Sequence, residues 1–123
     1  MLRIKRFLKS FHFACRGLVY TWQQEQNFRV QSVAACIVII FMIVFRTNTA
    51  ESVALIGVIA LVLILELVNT VFEKMVDILK PRMFHYVGII KDMMASAVLL
   101  ASAAAIGVGI LIFYPYIRDL LFY

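Results

Sequence analysis

The sequence predicts an all-α membrane protein in which a surface helix precedes three transmembrane helices. Of the 123 residues, 64% are hydrophobic and 15% are charged, and the mean hydropathy is +0.97. A soluble domain of this size needs far more polar surface to cover its core. Three long uncharged stretches, at 30–45, 52–65 and 93–117, carry most of the hydrophobic residues. We expect residues 1–123 to form a single membrane domain.

Residues 2–24 form the first predicted element, an amphipathic basic helix. Hydrophobic residues recur at three- and four-residue steps, and basic residues stand between them. The hydrophobic positions are Leu2, Phe7, Leu8, Phe11, Cys15 and Leu18, and the basic ones are Arg3, Lys5, Arg6, Lys9 and Arg16. Tyr20 and Trp22 suit a membrane interface. Such a helix lies readily on an anionic membrane surface, although a solvated basic tail is the alternative.

The three transmembrane helices follow in order. They are predicted at 28–46, 51–78 and 86–118. A polar turn separates the first two spans, with Thr49 as the predicted N-cap of the second. Pro81 ends the second span, because proline disfavours helix in the residue before it. The uncharged run of the third span is long enough by itself to cross a bilayer.

Basic residues predict the orientation of the spans. Ten of the twelve lysines and arginines precede the first uncharged stretch or lie between the second and third, and the other two are Arg46 and Arg118. The positive-inside rule therefore places the amino terminus in the cytoplasm and the carboxyl terminus outside. The net charge of +5 then indicates anionic lipid and a phosphate ligand, and not nucleic acid.

A polar stripe along the second span is the strongest functional signal. At about 100° per residue, Glu66, Asn69, Glu73 and Asp77 share one helical face. Fourteen uncharged residues precede Glu66, and an acid at mid-bilayer costs about 2.5–3.5 kcal/mol by insertion scales. An acid in such a setting is a candidate proton acceptor. A structural role for Glu66 is the alternative.

Charged residues of all three spans are predicted to reach one level of the membrane. Glu25 lies just before the first span, Glu73 near the end of the second, and Lys91-Asp92 just before the apolar run of the third. Carboxylates without a Cys/His cluster suit Mg²⁺, which prefers oxygen ligands and phosphate. Taken singly, Glu73 could instead pair with Lys74, and Lys91-Asp92 could be an ordinary helix start.

Four motifs, in this order and spacing, resemble the small bacterial integral-membrane diacylglycerol kinases and their undecaprenol kinase relatives. They are Arg-Gly-Leu at 16–18, Glu-Gln-Asn-Phe-Arg-Val at 25–30, Glu-x-x-Asn-Thr-x-x-Glu-x-x-x-Asp at 66–77, and the segment beginning Lys-Asp-x-x-Ala at 91–100. The likeness covers nearly the whole chain. The segment at 25–29 resembles the undecaprenol branch somewhat more.

The resemblance implies an ATP-dependent transfer of phosphate to the primary hydroxyl of a membrane lipid, either diacylglycerol or undecaprenol, in the bacterial inner membrane. It implies a homotrimer with each site completed between protomers. Glu66 would be the general base, and Glu25 and Glu73 would hold Mg²⁺. The nucleotide contacts implied are Arg6, Phe13, Glu25, Glu73, Asp77, Lys91 and Asp92, and the lipid contacts are Glu66, Asn69 and Ala95, with Asn69 orienting Glu66 or the lipid head.

Three positions depart from the family's pattern. One is His85, which stands one position away from the His that some relatives carry before Lys-Asp, and the other two are Gln31 and Ser96. Gln31 stands where relatives often carry His or Glu, and Ser96 stands where many carry Gly. All three are expected near the lipid-facing or packing surface, where they bear on substrate identity more than on the chemistry.

Two other functions remain open from the sequence. One is a proton- or ion-conducting oligomer with Glu66 as a relay, and the other is a structural membrane subunit. Small residues on the third span predict self-association. We also expect three spans alone to shield the Glu66 stripe poorly, so that oligomerisation would be needed to cover it.

Overall fold

The protein is built from four helices in succession. The structure is a computed structural model that describes residues 3–80, 82 and 84–122. The helices are α1 (Ile4–Gln24), α2 (Gln26–Phe45), α3 (Thr49–Leu79) and α4 (Phe84–Phe122), and those residues contain no strand. The predicted all-helical class is therefore confirmed. Leu2 and Pro81, which the sequence analysis used, lie outside the described residues.

Three of the helices have the length and composition of membrane spans. They are α2, α3 and α4 from His85 onward, with 20, 31 and 38 residues. At about 1.5 Å per residue, each covers the roughly 30 Å of a bilayer's hydrocarbon core. The structure thus has three candidate membrane spans, in the order that the sequence predicts.

α3 is the central helix of the bundle. It packs along α4 and, less extensively, against α2, whereas α1 packs mainly against α2. The buried positions of α3 lie on one side and include Leu55, Val62 and Val76. Large apolar side chains elsewhere on the spans are exposed, as expected for surfaces that face lipid. The position of α1 on a membrane surface stays a prediction.

An aromatic cluster ties α2 to α4 at one end of the bundle, which we call the aromatic end. The Phe41 and Phe113 rings meet edge to face with centroids 5.7 Å apart, and Phe45 lies 5.7 Å from Tyr116. Tyr116 Oη also donates a hydrogen bond to Glu51 Oε2 at 2.6 Å. These contacts join all three long helices. The opposite end, where α1 meets α2 and α3 meets α4, is called the basic end.

The turn between α2 and α3 differs in one detail from the sequence prediction. The N-cap of α3 is Asn48 and not Thr49. Asn48 Oδ1 accepts from the Glu51 backbone N–H at 2.9 Å, and the Asn48 N–H donates to Glu51 Oε2 at 3.0 Å. This capping box satisfies two backbone donors, which a cap at Thr49 would leave open. Arg46 ends α2 in the left-handed region, with φ of 51°.

Candidate functional site

Glu66 lies in the interior of the bundle, close to α2. Only 2% of its surface is exposed. Gln31 Nε2, on α2, donates to Glu66 Oε2 at 3.4 Å. One turn later on α3, Thr70 Oγ1 donates to the Glu66 carbonyl oxygen at 3.0 Å. Burying a carboxylate without a counter-ion is costly, so this position is not explained by stability.

The charged groups near Glu66 are acids. Glu25 and Glu73 lie close enough for their charges to act on the Glu66 carboxylate. Within the described residues, neither of the two ion pairs involves Glu66. The sequence interpretation depended on a Glu66 that is not paired with a cation, and that condition holds.

Asn69 connects the polar stripe to Glu73. Its Nδ2 donates to Glu73 Oε1 at 3.1 Å, one turn along α3. Asn69 is 8% exposed, and its Oδ1 is buried without a hydrogen-bond partner among the described residues. The sequence analysis expected Asn69 to orient Glu66 or the lipid head. Its observed partner is Glu73, and its free acceptor remains available for a ligand.

Glu25 occupies the single-residue break between α1 and α2. Its backbone is extended, with φ of −108° and ψ of 114°, and it ends α1 and begins α2. Thr21 and Phe28 are buried on either side of the break. No described residue forms a hydrogen bond with the Glu25 carboxylate, and the side chain is half-buried. The break therefore presents a carboxylate without a hydrogen-bond partner among the described residues.

Asp77 and Lys91 form an ion pair at the basic end. Lys91 Nζ lies 2.7 Å from Asp77 Oδ1, with 37% and 51% of the two side chains exposed. The pair joins α3 to α4 about 16 Å beyond Glu66 along α3. Asp92, the next residue on α4, is exposed. Both partners of the ion pair can be reached from solvent.

Three predicted site residues form no hydrogen bond or ion pair, among the described residues, with the polar side chains described above. Arg6 and Phe13 are exposed on α1, and Phe13 lies under Lys9 Nζ at 5.8 Å. Arg6 is 19 residues before Glu25, or about 28 Å along a straight helix. Ala95 is exposed on α4. The roles of Arg6, Phe13 and Ala95 stay predictions.

Gln31 is a site residue that the sequence analysis did not name. It was expected near the lipid-facing or packing surface, and it is half-buried where α2 packs on α3, but its hydrogen bond to Glu66 was not foreseen. The signal available in the sequence was an amide inside an otherwise apolar span, six residues after Glu25. An amide in a span is costly unless it has a polar partner.

One chain shields Glu66 and Asn69 better than the sequence analysis expected. One chain by itself leaves only 2% of Glu66 and 8% of Asn69 exposed. The packing of α3 against both α2 and α4 supplies this cover. Three spans are therefore sufficient to bury Glu66 and Asn69, whereas Asp77 at the basic end stays 51% exposed. Shielding of Glu66 gives no argument for oligomerisation.

An apolar cleft opens beside the buried acid. It has a volume of about 580 Å³ and lies between α2 and α4, over α3. Its walls run from Val30 and Gln31 to Phe113 and Ile117, toward the aromatic end. Gln31 belongs both to this wall and to the contact with Glu66, so this one side chain connects the cleft with the acid.

Comparison with known sequences identifies the family. Residues 12–113 match the family described as prokaryotic diacylglycerol kinase. The chain belongs to this family. An undecaprenol kinase of Bacillus subtilis is 33% identical over 112 residues, which cover 91% of each chain. A diacylglycerol kinase of Synechocystis is 34% identical over 93% of this chain and 66% of its own length.

A third relative is the diacylglycerol kinase of Escherichia coli K12, which is 30% identical over 82% of this chain and 83% of its own. The chain is thus a lipid kinase, a transferase of lipid metabolism held in a membrane. This membership favours the kinase over the ion-conducting oligomer and the structural subunit. The identities to the two kinds of kinase are too similar to separate their substrates.

Proposed function

We propose that the protein transfers the γ-phosphoryl group of ATP to the primary hydroxyl of a membrane lipid alcohol, with Glu66 as the general base. The observation that carries this proposal is the environment of Glu66. The side chain is 2% exposed, has no cationic partner among the described residues, and lies beside an apolar cleft. A hydrocarbon chain in that cleft would bring its hydroxyl to the acid.

The reaction is a direct in-line transfer. The lipid O–H bond breaks and its proton passes to Glu66, while the lipid oxygen bonds to the γ-phosphorus. The bond from that phosphorus to the bridging oxygen breaks, and ADP leaves. Such transfers depend mainly on positioning and on the neutralisation of charge, so no covalent phosphoenzyme is required.

The residues present fit the Mg²⁺ that this family's chemistry implies. Among the described residues, no group of three or more His, Cys, Asp or Glu side chains forms an all-protein metal site. Mg²⁺ in phosphoryl-transfer sites is held by one or two carboxylates together with phosphate oxygens. Glu25 and Glu73 would be those two carboxylates. Bound there, the metal would neutralise charge on the phosphates.

The remaining contacts follow from the family's motifs. Lys91 would offset phosphate charge, and Asp77 and Asp92 would contact the nucleotide. Arg6 and Phe13 would form the floor of the nucleotide site from α1. Asn69 and Ala95 would contact the lipid, and the buried, unpaired Asn69 Oδ1 supports a ligand contact there.

The lipid alcohol is proposed to be diacylglycerol or undecaprenol. Relatives of both names have similar identity to the chain, while the segment at 25–29 favours undecaprenol. Parallel assays with both alcohols in mixed micelles, containing Mg²⁺ and ATP, would separate them. Phosphorylation of neither alcohol would contradict the proposed substrate class.

We also propose a homotrimer in the bacterial inner membrane, with the amino terminus in the cytoplasm. Small residues on α4 support the assembly. They include Gly107 and Gly109, and small residues permit the close approach of another helix in lipid.

The test of the base is Glu66→Gln. General-base catalysis contributes about 10²–10⁴-fold, so kcat should fall by that amount while the KM for ATP stays within about twofold. Glu51→Gln, at the aromatic end of the same helix, is the matched control and should keep wild-type turnover. Unchanged turnover in Glu66→Gln would remove Glu66 as the base.

A further inference from the structure

The Glu66 carboxylate is held at one of its two oxygens. Gln31 Nε2 donates to Oε2 at 3.4 Å, and no described side chain donates to Oε1. A carboxylate fixed at one oxygen keeps the other free to accept a proton. The distance is long for a hydrogen bond, but catalytic hydrogen bonds often shorten only when substrate is bound.

Two buried acceptors lie on the helices that hold Glu66 and Gln31, a region that we call the polar layer, and neither has a donor among the described residues. They are Gln31 Oε1 on α2 and Asn69 Oδ1 on α3. Buried polar atoms are nearly always satisfied, so each exception needs an explanation. The proposed reaction brings two O–H donors to this layer: the lipid hydroxyl before transfer, and the Glu66 acid after it.

We infer that Gln31 is a positioning residue for the phosphoryl transfer, holding the Glu66 carboxylate so that its free oxygen meets the lipid hydroxyl. The inference rests on the proposed function. An amide suits this role because it carries both a donor and an acceptor. Its Nε2 donates to the carboxylate, and its Oε1, after rotation of the amide, accepts from the protonated acid.

The position of Gln31 explains why the role falls to this residue. It faces Glu66 across the contact between α2 and α3, and it also lines the apolar cleft. A hydroxyl that arrives along the cleft therefore meets Gln31 and Glu66 together. Replacing the amide by an apolar side chain would leave the cleft intact and free the carboxylate to rotate.

A purely structural role as an interhelical hydrogen bond is the competing explanation. It predicts lower stability in Gln31→Leu but normal turnover in the folded fraction. A positioning role predicts instead that kcat falls while the KM for ATP hardly changes. In Gln31→Leu, kcat should fall about 10- to 100-fold, the loss expected for one hydrogen bond to a charged group. The KM for ATP should stay within about twofold.

The experiment measures steady-state kinetics of purified variants in lipid vesicles, using whichever of diacylglycerol and undecaprenol the wild type phosphorylates. Gln31→His should recover most of kcat, since a neutral imidazole also carries one donor and one acceptor. Gln31→Met replaces Gln31→Leu if the latter folds poorly. Ser32→Ala is the matched control, because Ser32 Oγ donates to the Phe28 carbonyl of its own helix and, among the described residues, to no group of another helix.

A double-mutant cycle separates this inference from the proposed function. If Gln31 acts through Glu66, adding Gln31→Leu to Glu66→Gln should lower the residual turnover by less than about twofold. Equal losses in both backgrounds, or wild-type kcat in Gln31→Leu, would overturn the positioning role alone. Full turnover in Glu66→Gln would instead overturn the proposed function.

Discussion

Tyr116 and Glu51 connect α4 to the first turn of α3 by a 2.6 Å hydrogen bond between the phenol and the carboxylate. The same Glu51 oxygen accepts from the Asn48 backbone N–H. One carboxylate therefore caps a helix and holds a second helix against it. This junction lies at the aromatic end, far from the polar stripe.

Removing this phenol should lower stability and spare activity. Tyr116→Phe deletes the donor while keeping the ring contact with Phe45, so the melting temperature in detergent micelles should fall by a few degrees. Turnover of the folded enzyme should be unchanged. Tyr114→Phe is the matched control, since Tyr114 is 64% exposed. Equal melting temperatures for the two variants would refute a role of the hydrogen bond.

Breaking the Asp77–Lys91 ion pair should weaken ATP binding and leave stability unchanged. The two side chains are 51% and 37% exposed, and exposed ion pairs contribute little to stability. Lys91→Met should therefore leave the melting temperature unchanged but raise the KM for ATP at least tenfold, because phosphate loses a cationic contact. Lys80→Met, on the same surface, should alter neither quantity. A Lys91→Met enzyme with normal KM would rule out the phosphate contact.

Glu73 should determine how much Mg²⁺ the enzyme needs for turnover. Replacing one of two proposed Mg²⁺ ligands by a neutral amide, in Glu73→Gln, weakens the attraction for a divalent cation. We expect the Mg²⁺ concentration that gives half-maximal turnover to rise at least tenfold. The measurement is a Mg²⁺ titration at fixed ATP, with Glu51→Gln as the control. Identical titrations for wild type and Glu73→Gln would show that Glu73 does not hold the metal.

Trimers that contain two different variants should show whether each active site is formed by residues of two protomers. Arg6 and Glu25 are about 28 Å apart along α1, so Arg6 could serve the site of another copy. We expect Arg6→Ala and Glu66→Gln, each nearly inactive alone, to recover turnover when the two chains are co-expressed. Some sites in the mixed trimers would then contain both wild-type residues. If co-expression gives no more turnover than either variant alone, each site belongs to one chain.

The helices were predictable because hydropathy acts over long segments. Three long uncharged runs, each extended by flanking helical residues to the length that a bilayer requires, leave few alternatives to three spans. The N-cap of α3 was misplaced by one residue, from Asn48 to Thr49. Both residues are acceptable caps, and only the reciprocal bond to Glu51 distinguishes them.

The polar contacts were less predictable, since they depend on how the helices are rotated about their axes. The spacing of Glu66, Asn69 and Glu73 placed them on one face of α3, where the structure has them. The facing residue of α2 could not be read from its pattern, because α2 is apolar on nearly all sides. Gln31 was therefore named as a substitution but not as a partner of Glu66.

The lengths of α3 and α4 have a consequence for the lipid environment. With 31 and 39 residues, they extend about 46 and 58 Å, whereas hydrocarbon is only about 30 Å thick. The apolar segments of these helices, rather than their full lengths, therefore set the height of Glu66 relative to the headgroups. Turnover should therefore depend on the acyl-chain length of the surrounding lipids. It should be highest in bilayers whose headgroups lie at the level set by the protein, and lower in thinner or thicker bilayers.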